Sequence, residues 1–410
     1  MLSSSTIQIV KSTAPVLAVK GEEITTHFYK TLFTNHPELL NIFNHANQKK
    51  GRQQTALANT IYAAAAYIDQ LEVLLPAVKQ IAHKHRSLAV KPEHYPIVGD
   101  HLLKAIKEVL GDAATSEIIE AWGEAYGVIA DVFISVEKEM YETALQQMDG
   151  WEDFKKFEVV EKVVESELIT SFYLKPSDGS AVPSFFPGQY ITIRLSIPGE
   201  KNLFNRQYSL SDSFNDEVFR ISVKKEFGDP SGAVSNYLHE HVEIGDTVDV
   251  TAPAGDFILK TNQDTPVYLI SGGVGITPML SMLKTIAKEQ PSRQTTFIHA
   301  AKNGSVHAFK DEVGESIEKM ENAKKLFVYE NPSDEDIRLG AFHEQGYITE
   351  NMLKAMNIDK DALYYVCGPV PFMKFIITML GILGVAEENI NFEFFGPSID
   401  MKKEEEASIK

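Results

Sequence analysis

Residues 267–283, VYLISGGVGITPMLSML, have the types and order expected of a phosphate-binding loop. A mostly apolar run of five residues leads into Gly272–Gly275, and Thr277 can then cap a helix with Pro278 in its first position. Glycines let the backbone approach a pyrophosphate closely, and the free amides at a helix N-terminus attract the anion. The loop departs from GxGxxG because Pro278 stands where the third glycine would be. A plain tight turn is the alternative interpretation.

A second set of residues with binding chemistry lies outside this loop. Arg206–Ser209 (RQYS) stands between two strand-like stretches, and Tyr190 precedes it. Arginine can pair with a phosphate, and tyrosine can stack on a flat ring. Phe394–Pro397 (FFGP) offers aromatic surface, and Cys367–Pro369 (CGP) ends a run of buried-strand type. Each of these sets, taken alone, is more often structural than functional.

Histidines are the candidate metal ligands. Most of the 12 histidines are expected at the surface, where this residue is common. His83 and His85 lie in the segment HKHRS, and two residues on a helix point about 200° apart, so both cannot face one metal. Spacing alone does not decide between them.

The chain has three regions with different residue patterns, and each pattern predicts the secondary-structure elements that hold these residues. Residues 1–148 are poor in glycine, and apolar residues recur every three or four positions, which predicts six to eight helices. After Gly150 the runs FEVVEKVVE, YITIRLSI, FRISVKK and DTVDVTA predict an antiparallel β-barrel or sandwich. From about residue 265, VYLIS, TTFIHAA, LFVYE and LYYVC alternate with helical stretches, as in a parallel α/β sheet.

We therefore predict a multidomain protein. An all-α domain spans 1–148, an antiparallel β-barrel domain spans 152–262, an α/β parallel-sheet domain spans 265–400, and residues 401–410 form a charged tail.

Composition excludes several classes of protein. The 410 residues include 39 basic and 57 acidic side chains, a net charge of −18, which disfavours nucleic acid and anionic membranes as partners. Cys367 is the single cysteine, so no internal disulfide forms, as is usual in a reducing cytosol. Neither a signal-peptide pattern nor an apolar run of about 18 residues occurs, so we expect a cytoplasmic protein without stable membrane insertion.

RQYS, GGVGITP and CGP, in this order, resemble the ferredoxin–NADP reductase superfamily over about residues 153–397. The resemblance implies an FAD site at Tyr190, Arg206, Gln207, Tyr208 and Ser209, with Phe394, Phe395, Gly396 and Pro397 near the flavin ring. It implies a nicotinamide nucleotide site at Gly272, Gly273, Val274, Gly275, Ile276 and Thr277. Cys367 becomes a small packing residue. NADH and NADPH stay open alternatives, because TTFIHAAKN ends in neither a carboxylate nor an arginine.

The segment NHPELLNIF, followed by Gln53, Leu57 and HKHRS, resembles a globin. The resemblance implies haem b with His85 as the iron ligand and His83 facing solvent. It places Tyr29, Gln53 and Leu57 on the opposite side of the haem, with Phe43 in the haem pocket. Tyr29 and Gln53 can donate hydrogen bonds to bound dioxygen. Without a haem, they would be a core tyrosine and a surface glutamine.

Over its full length the chain resembles the flavohaemoglobins. This implies that Tyr95 and Glu137 hydrogen-bond the proximal imidazole and make it more electron-donating, while Lys84 and Glu393 tune the redox potential. For Glu137 the local run E-K-E supports a solvated helix face as the alternative.

The resemblance also implies nitric oxide dioxygenation. NAD(P)H delivers a hydride to FAD, FAD passes single electrons to haem, and nitric oxide reacts with dioxygen to give nitrate, which detoxifies nitric oxide. A lipid or other apolar ligand can also fit the apolar distal wall, and we expect a monomer. One alternative is a haem and flavin NAD(P)H oxidase or ferric reductase. The other is an oxygen or redox sensor, which the complete reductase half disfavours.

Overall fold

The computed structural model describes residues 2–43, 48, 51–227 and 232–396. They divide into two compact units. The first holds the described residues of Met1–Phe154 and Thr192–Arg206 together with Gly396, and the second holds those of Lys155–Ile191 and Gln207–Phe395. Within the described residues, no helix has the length and apolar character needed to cross a bilayer.

The N-terminal part of the first unit is all helical among its described residues. Its α-helices are α1 Ser4–Ser12, α2 Ala14–Asn35, α3 Arg52–Ala66, α4 Leu75–Ser87, α5 His94–Leu110 and α6 Ser116–Gln146, with short 3-10 helices at Pro37–Asn41, Leu71–Leu74 and Gly111–Ala113.

Local sequence explains where several of these helices begin. The Ser3 side chain accepts a hydrogen bond from the Thr6 amide at 3.0 Å and caps α1. Thr115 caps α6 in the same way. The apolar faces of the helices then bury a common core that includes Phe28, Leu32 and Trp122.

Six strands form the antiparallel sheet: β1 Phe154–Val164, β2 Ile169–Pro176, β3 Tyr190–Leu195, β4 Phe204–Ser209, β5 Phe219–Lys224 and β6 Thr247–Thr251, with α7 Ala233–His241 between the last two. The strand order is β4-β3-β6-β1-β2-β5. In β2 and β5, Ile169 lies opposite Lys224 and Leu174 opposite Phe219. An antiparallel bridge from Leu210, just after β4, to Ile221 in β5 joins the two outer strands, as in a closed barrel.

The remaining strands are parallel and alternate with helices. They are β7 Val267–Gly272, α8 Ile276–Glu289, β8 Thr295–Ala301, α9 Lys310–Glu318, β9 Ala323–Tyr329, α10 Asp334–Leu339, β10 Glu344–Gln345, α11 Glu350–Ala355, β11 Leu363–Cys367, α12 Val370–Ile382 and β12 Ile390–Glu393.

The order of this second sheet is β10-β9-β8-β7-β11-β12. The chain runs outward from β7 through β8 and β9, and then returns to the other side of β7 as β11. Such a reversal of strand order creates a crevice at the carboxyl ends of the two central strands, and ligands of open α/β sheets bind there. Gly272 and Cys367 end those two strands, so the glycine loop lies at this crevice.

Candidate haem, flavin and nicotinamide sites

His85, near the end of α4, is held by a buried carboxylate. Its Nδ1 donates to Glu137 Oε1 at 2.7 Å. The Tyr95 hydroxyl donates to the same oxygen at 2.6 Å and lies 3.2 Å from His85 Nδ1. Because Nδ1 is engaged, Nε2 is the ring nitrogen that can bind a metal. The donor set therefore fits a haem iron bound by a single imidazole.

Packing explains why these three side chains meet. Tyr95 lies at the start of α5, and its backbone carbonyl accepts a hydrogen bond from the Tyr126 hydroxyl at 2.6 Å. The Phe133 ring lies one helical turn before Glu137 and packs 5.8 Å from the His85 ring. Burial and the neighbouring Glu137 both raise the pKa of Tyr95, so its hydroxyl keeps the proton that it donates.

A second constellation gathers around Tyr29 on α2. The tyrosine is buried among aromatic rings, with Phe33 at 5.7 Å and Phe43 at 5.8 Å between ring centroids. Burial raises the pKa of Tyr29, and a hydrogen bond with the Gln53 side chain only partly offsets this effect. The hydroxyl is therefore neutral and can act as a donor. Leu57, one turn after Gln53 on α3, packs against the same core.

Gln48 belongs to this constellation but was not predicted. Its Nε2 donates to Gln53 Oε1 at 2.8 Å, which orients the amide of Gln53. No spacing rule in the sequence indicates this contact, because Gln48 precedes the first residue of α3 and lies outside its helical repeat.

The predicted flavin residues occupy two strand positions of the β-barrel. Arg206–Ser209 form the end of β4, and Tyr190 begins β3. Ser209 is buried, and its Oγ has no hydrogen-bond partner among the described residues. Leaving a buried hydroxyl unsatisfied costs about 1–3 kcal/mol, so this atom fits a ligand contact. The residues present therefore fit a flavin nucleotide.

Residues after β12 have mixed environments. Phe394 packs against the core around β7 and β11, whereas Phe395 is 44% exposed. The Lys84 ammonium donates to the Gly396 carbonyl at 2.8 Å. Glu393 ends β12 opposite Cys367 in the parallel register. Pro397 and the tail 401–410 lie outside the described residues.

The glycine loop has the backbone shape that a phosphate site needs. Gly273 has a φ of +55°, a left-handed conformation that favours glycine. A Cβ atom on Gly275 would collide with the Cys367 carbonyl, so the loop lies directly against the end of β11. The free amides at the start of α8 then follow, which fits a pyrophosphate.

One prediction about this loop is wrong. Thr277 does not cap the helix, because α8 already begins at Ile276 after the short 3-10 turn Gly273–Gly275. The Thr277 hydroxyl instead donates to the Val274 carbonyl at 3.0 Å and stabilises that turn. Cys367 is fully buried, and burial raises the pKa of its thiol, which suits a packing residue.

Fold and sites together define a class of protein, a single-chain oxidoreductase in which a globin is joined to flavin- and nicotinamide-binding domains. Family models match in that order: Globin at residues 26–133, Oxidoreductase FAD-binding domain at 156–258 and Oxidoreductase NAD-binding domain at 269–377. A flavohemoprotein of Bacillus thuringiensis subsp. konkukian is 56% identical over 404 residues, which cover 98% of this chain and 100% of that protein. The chain belongs to the flavohemoprotein family.

Solved structures agree. The flavohemoglobin of Malassezia yamatoensis, crystallised with bound FAD and heme, has a TM-score of 0.86 at 29% identity, covering 96% of this chain and 100% of that one. The FAD/NAD-binding domain of nitric oxide dioxygenase from Vibrio cholerae has a TM-score of 0.54 at 39% identity, covering 59% of this chain and 99% of that one.

These findings confirm the predicted fold class and cofactors, namely haem, FAD and a nicotinamide nucleotide. The matched ranges fall inside the three predicted domains, whose exact boundaries stay predictions. The roles of individual site residues also stay predictions, supported by the geometry described above.

Proposed function

We propose that this oxidoreductase is a nitric oxide dioxygenase that converts nitric oxide and dioxygen to nitrate at the expense of NAD(P)H. The observation that carries the proposal is that one helical domain contains both a carboxylate-bound imidazole, His85–Glu137, and the buried Tyr29 hydrogen-bonded to Gln53. The name of the Vibrio cholerae relative supports the same activity.

The electron balance explains why a reductase is needed. Nitric oxide loses three electrons when it becomes nitrate, and dioxygen takes up four when both of its atoms enter nitrate. One electron per nitric oxide must therefore come from NAD(P)H, which supplies two. When bound, FAD turns this hydride donor into a source of single electrons, and haem supplies the iron at which the gases react.

The proximal residues orient and polarise the imidazole. Glu137 accepts the Nδ1 proton of His85 in a short hydrogen bond and so increases electron donation from Nε2. Tyr95 donates to the same carboxylate oxygen and fixes its position. Because Glu137 is 3% exposed, the carboxylate end of this interaction is shielded from water.

On the distal side, Tyr29 and Gln53 would donate hydrogen bonds to bound dioxygen, and the apolar surroundings would admit a small neutral gas and exclude bulky substrates. The neutral Tyr29 hydroxyl is the hydrogen-bond donor. Phe43 and Leu57 supply apolar wall. An apolar ligand such as a lipid chain in this pocket, a monomeric state and a cytoplasmic location remain parts of the proposal.

In the reductase half, Arg206, Tyr208 and Ser209 would hold FAD, and the loop Gly272–Gly275 would hold the nicotinamide nucleotide. Lys84 and Glu393 would adjust the redox potential. NADH and NADPH stay equal candidates.

The test is a product balance. Aerobic protein is supplied with NADH and then with nitric oxide in a closed cell, and nitrate, hydrogen peroxide and NADH are measured. We expect NADH oxidation that depends on nitric oxide and one nitrate per nitric oxide consumed. NADH oxidation that is independent of nitric oxide and yields hydrogen peroxide would instead identify an oxidase, and preferential reduction of ferric chelates would identify a ferric reductase.

A further inference from the structure

Four charged side chains form an ion-pair cluster between the β-barrel and the parallel-sheet domain, all inside the second compact unit. Arg220 on β5 donates through Nη1 to both Glu312 carboxylate oxygens, at 2.8 and 3.1 Å. Lys284 on α8 donates to Glu312 Oε2 at 2.9 Å and lies 2.5 Å from Asp212 Oδ1. Asp212 closes the ring 3.6 Å from Arg220 Nε.

The side chains of this cluster are less exposed to solvent than those of a surface salt bridge. The Arg220 side chain is 2% exposed, and the other three are 19–30% exposed. Burial lowers the pKa of Arg220, but Asp212 and Glu312 outweigh it and raise that pKa. Burial likewise raises the pKa of Glu312, but Arg220 and Lys284 outweigh it and lower that pKa. Arg220 and Glu312 are therefore both charged, and the cluster as a whole contains two basic and two acidic side chains.

The ion pairs of this cluster connect the two domains. Asp212 and Arg220 belong to the matched FAD-binding domain, whereas Lys284 and Glu312 belong to the matched NAD-binding domain. The pairs Arg220–Glu312 and Lys284–Asp212 both cross from one domain to the other. A rotation of one domain on the other would separate both cross-domain pairs, one of which holds the buried Arg220 side chain.

Other contacts at the same interface hold the two domains together. Ile169 of the barrel belongs to the apolar cluster of the parallel-sheet domain, together with Met279 and Phe309. The Ser281 hydroxyl of α8 donates to the Asp212 carbonyl at 2.7 Å. Apolar contact is not directional, whereas a desolvated ion pair needs a well-defined geometry for its attraction to offset the cost of removing the charges from water.

Helix α8 connects the cluster to the glycine loop. Lys284 lies eight residues after Ile276, the first residue of α8, so about 12 Å of rigid helix separates them. A tilt of about 5° at Lys284 would therefore move the loop by about 1 Å. A misplacement of that size can slow a reaction about 100-fold, because reacting atoms must lie about 3–3.5 Å apart.

We propose that Asp212, Arg220, Lys284 and Glu312 are positioning residues that lock the nicotinamide domain in one orientation on the flavin domain and thereby align the two cofactors for hydride transfer. In this step NADH loses a hydride and becomes NAD⁺, while FAD gains that hydride and a proton from solvent. The inference rests on the reductase half of the proposed function and needs neither haem nor nitric oxide.

The first test measures orientation directly. Cys367 is the single cysteine and is fully buried, so cysteines placed at the exposed positions Lys175 and Glu318 accept spin labels selectively. In the full-length, cofactor-loaded protein we expect one narrow distance distribution by pulsed electron paramagnetic resonance. Glu312→Gln should broaden it at least twofold, and Glu315→Gln, an exposed control on the same helix, should leave it unchanged.

The second test follows flavin reduction by NADH in anaerobic stopped flow. Glu312→Gln should lower the limiting rate constant about 10- to 100-fold while the Kd for NADH stays within twofold. Lys284→Gln, which removes the basic partner contributed by α8, is the second variant if Glu312→Gln does not fold, and Lys284→Arg should restore most of the rate. The proposal would be overturned if both Gln variants kept the limiting rate constant for flavin reduction, or if only the Kd for NADH changed. It would also be overturned if Glu312→Gln left the spin-label distance distribution as narrow as in the unmodified protein. Failure to form nitrate with normal flavin reduction would count against the proposed function alone.

Discussion

Replacing Glu137 with glutamine tests the electrostatic part of the proximal site. The substitution keeps the size and one acceptor oxygen but removes the negative charge beside His85. Because ferric haem carries one more positive charge than ferrous haem, the carboxylate stabilises the ferric state more strongly. We therefore expect Glu137→Gln to raise the reduction potential of the haem.

The magnitude follows from the two hydrogen bonds that Glu137 Oε1 accepts, at 2.7 Å from His85 and 2.6 Å from Tyr95. Hydrogen bonds to a charged group contribute about 1.5–3 kcal/mol, whereas neutral ones contribute about 0.5–1.5 kcal/mol. If this difference is felt mainly by the ferric state, loss of the charge should destabilise the ferric state by about 1–2 kcal/mol relative to the ferrous state. For a one-electron couple, in which about 59 mV corresponds to a factor of ten, this is about 40–90 mV.

The assay is a spectroelectrochemical titration of the haem absorption bands. Glu139→Gln is the matched control, because Glu139 lies two residues further along α6 on the exposed face. Its potential should equal that of the unmodified protein. If Glu137→Gln left the potential unchanged, or if the control shifted as much, the carboxylate would have no specific effect on the iron and the reasoning would be wrong.

Three further substitutions probe other sites. Tyr29→Phe should speed dioxygen release up to about tenfold in stopped flow, because one neutral hydrogen bond is lost. The control Tyr67→Phe, at an exposed tyrosine, should leave the release rate unchanged. Equal release rates in Tyr29→Phe and the unmodified protein would show that Tyr29 is not a donor. Gly275→Ala should weaken NADH binding in titrations and leave the haem spectrum intact, since the added Cβ meets the Cys367 carbonyl; normal affinity would contradict this. Burial lowers the pKa of His299 to about 3. As the pH falls, this histidine therefore takes up a proton in the unfolded chain before it does so in the folded protein. The free energy of unfolding in urea should therefore fall by about 2 kcal/mol from pH 6.5 to pH 5 through this group, and His299→Leu should remove that loss; an unaltered pH dependence would refute it.

The glycine loop could be predicted because its chemistry is contiguous. A strand, three glycines and a helix start occupy about ten consecutive residues, so local rules apply directly. Even there the helix start was misplaced, since the Gly273–Gly275 turn lets α8 begin at Ile276, before Thr277. Backbone geometry inside a turn depends on contacts such as that of Gly275 with the end of β11, which a local pattern does not contain.

The proximal site could not be predicted from spacing, because its members come from three helices. The local run E-K-E suggested that Glu137 is solvated, yet Glu137 is buried whereas Lys138 and Glu139 are exposed. A helical repeat would have given a signal: Glu137 lies four residues after the core residue Phe133, on the same face of α6. A carboxylate on the apolar face of a helix is costly unless it has a partner, and His85 with Tyr95 supplies one.

The ion-pair cluster shows a different kind of limit. Asp212, Arg220, Lys284 and Glu312 are ordinary charged residues in sequence, and the net charge of −18 was informative only about partners. Local motifs predict most residues of each nucleotide site, whereas we propose that the orientation of one domain on the other depends on side chains that have no local signature. Cofactor binding and cofactor alignment should therefore be separable by mutation. Variants of the loop Gly272–Gly275 should lose affinity for the nucleotide, and variants of the cluster should keep that affinity and lose rate.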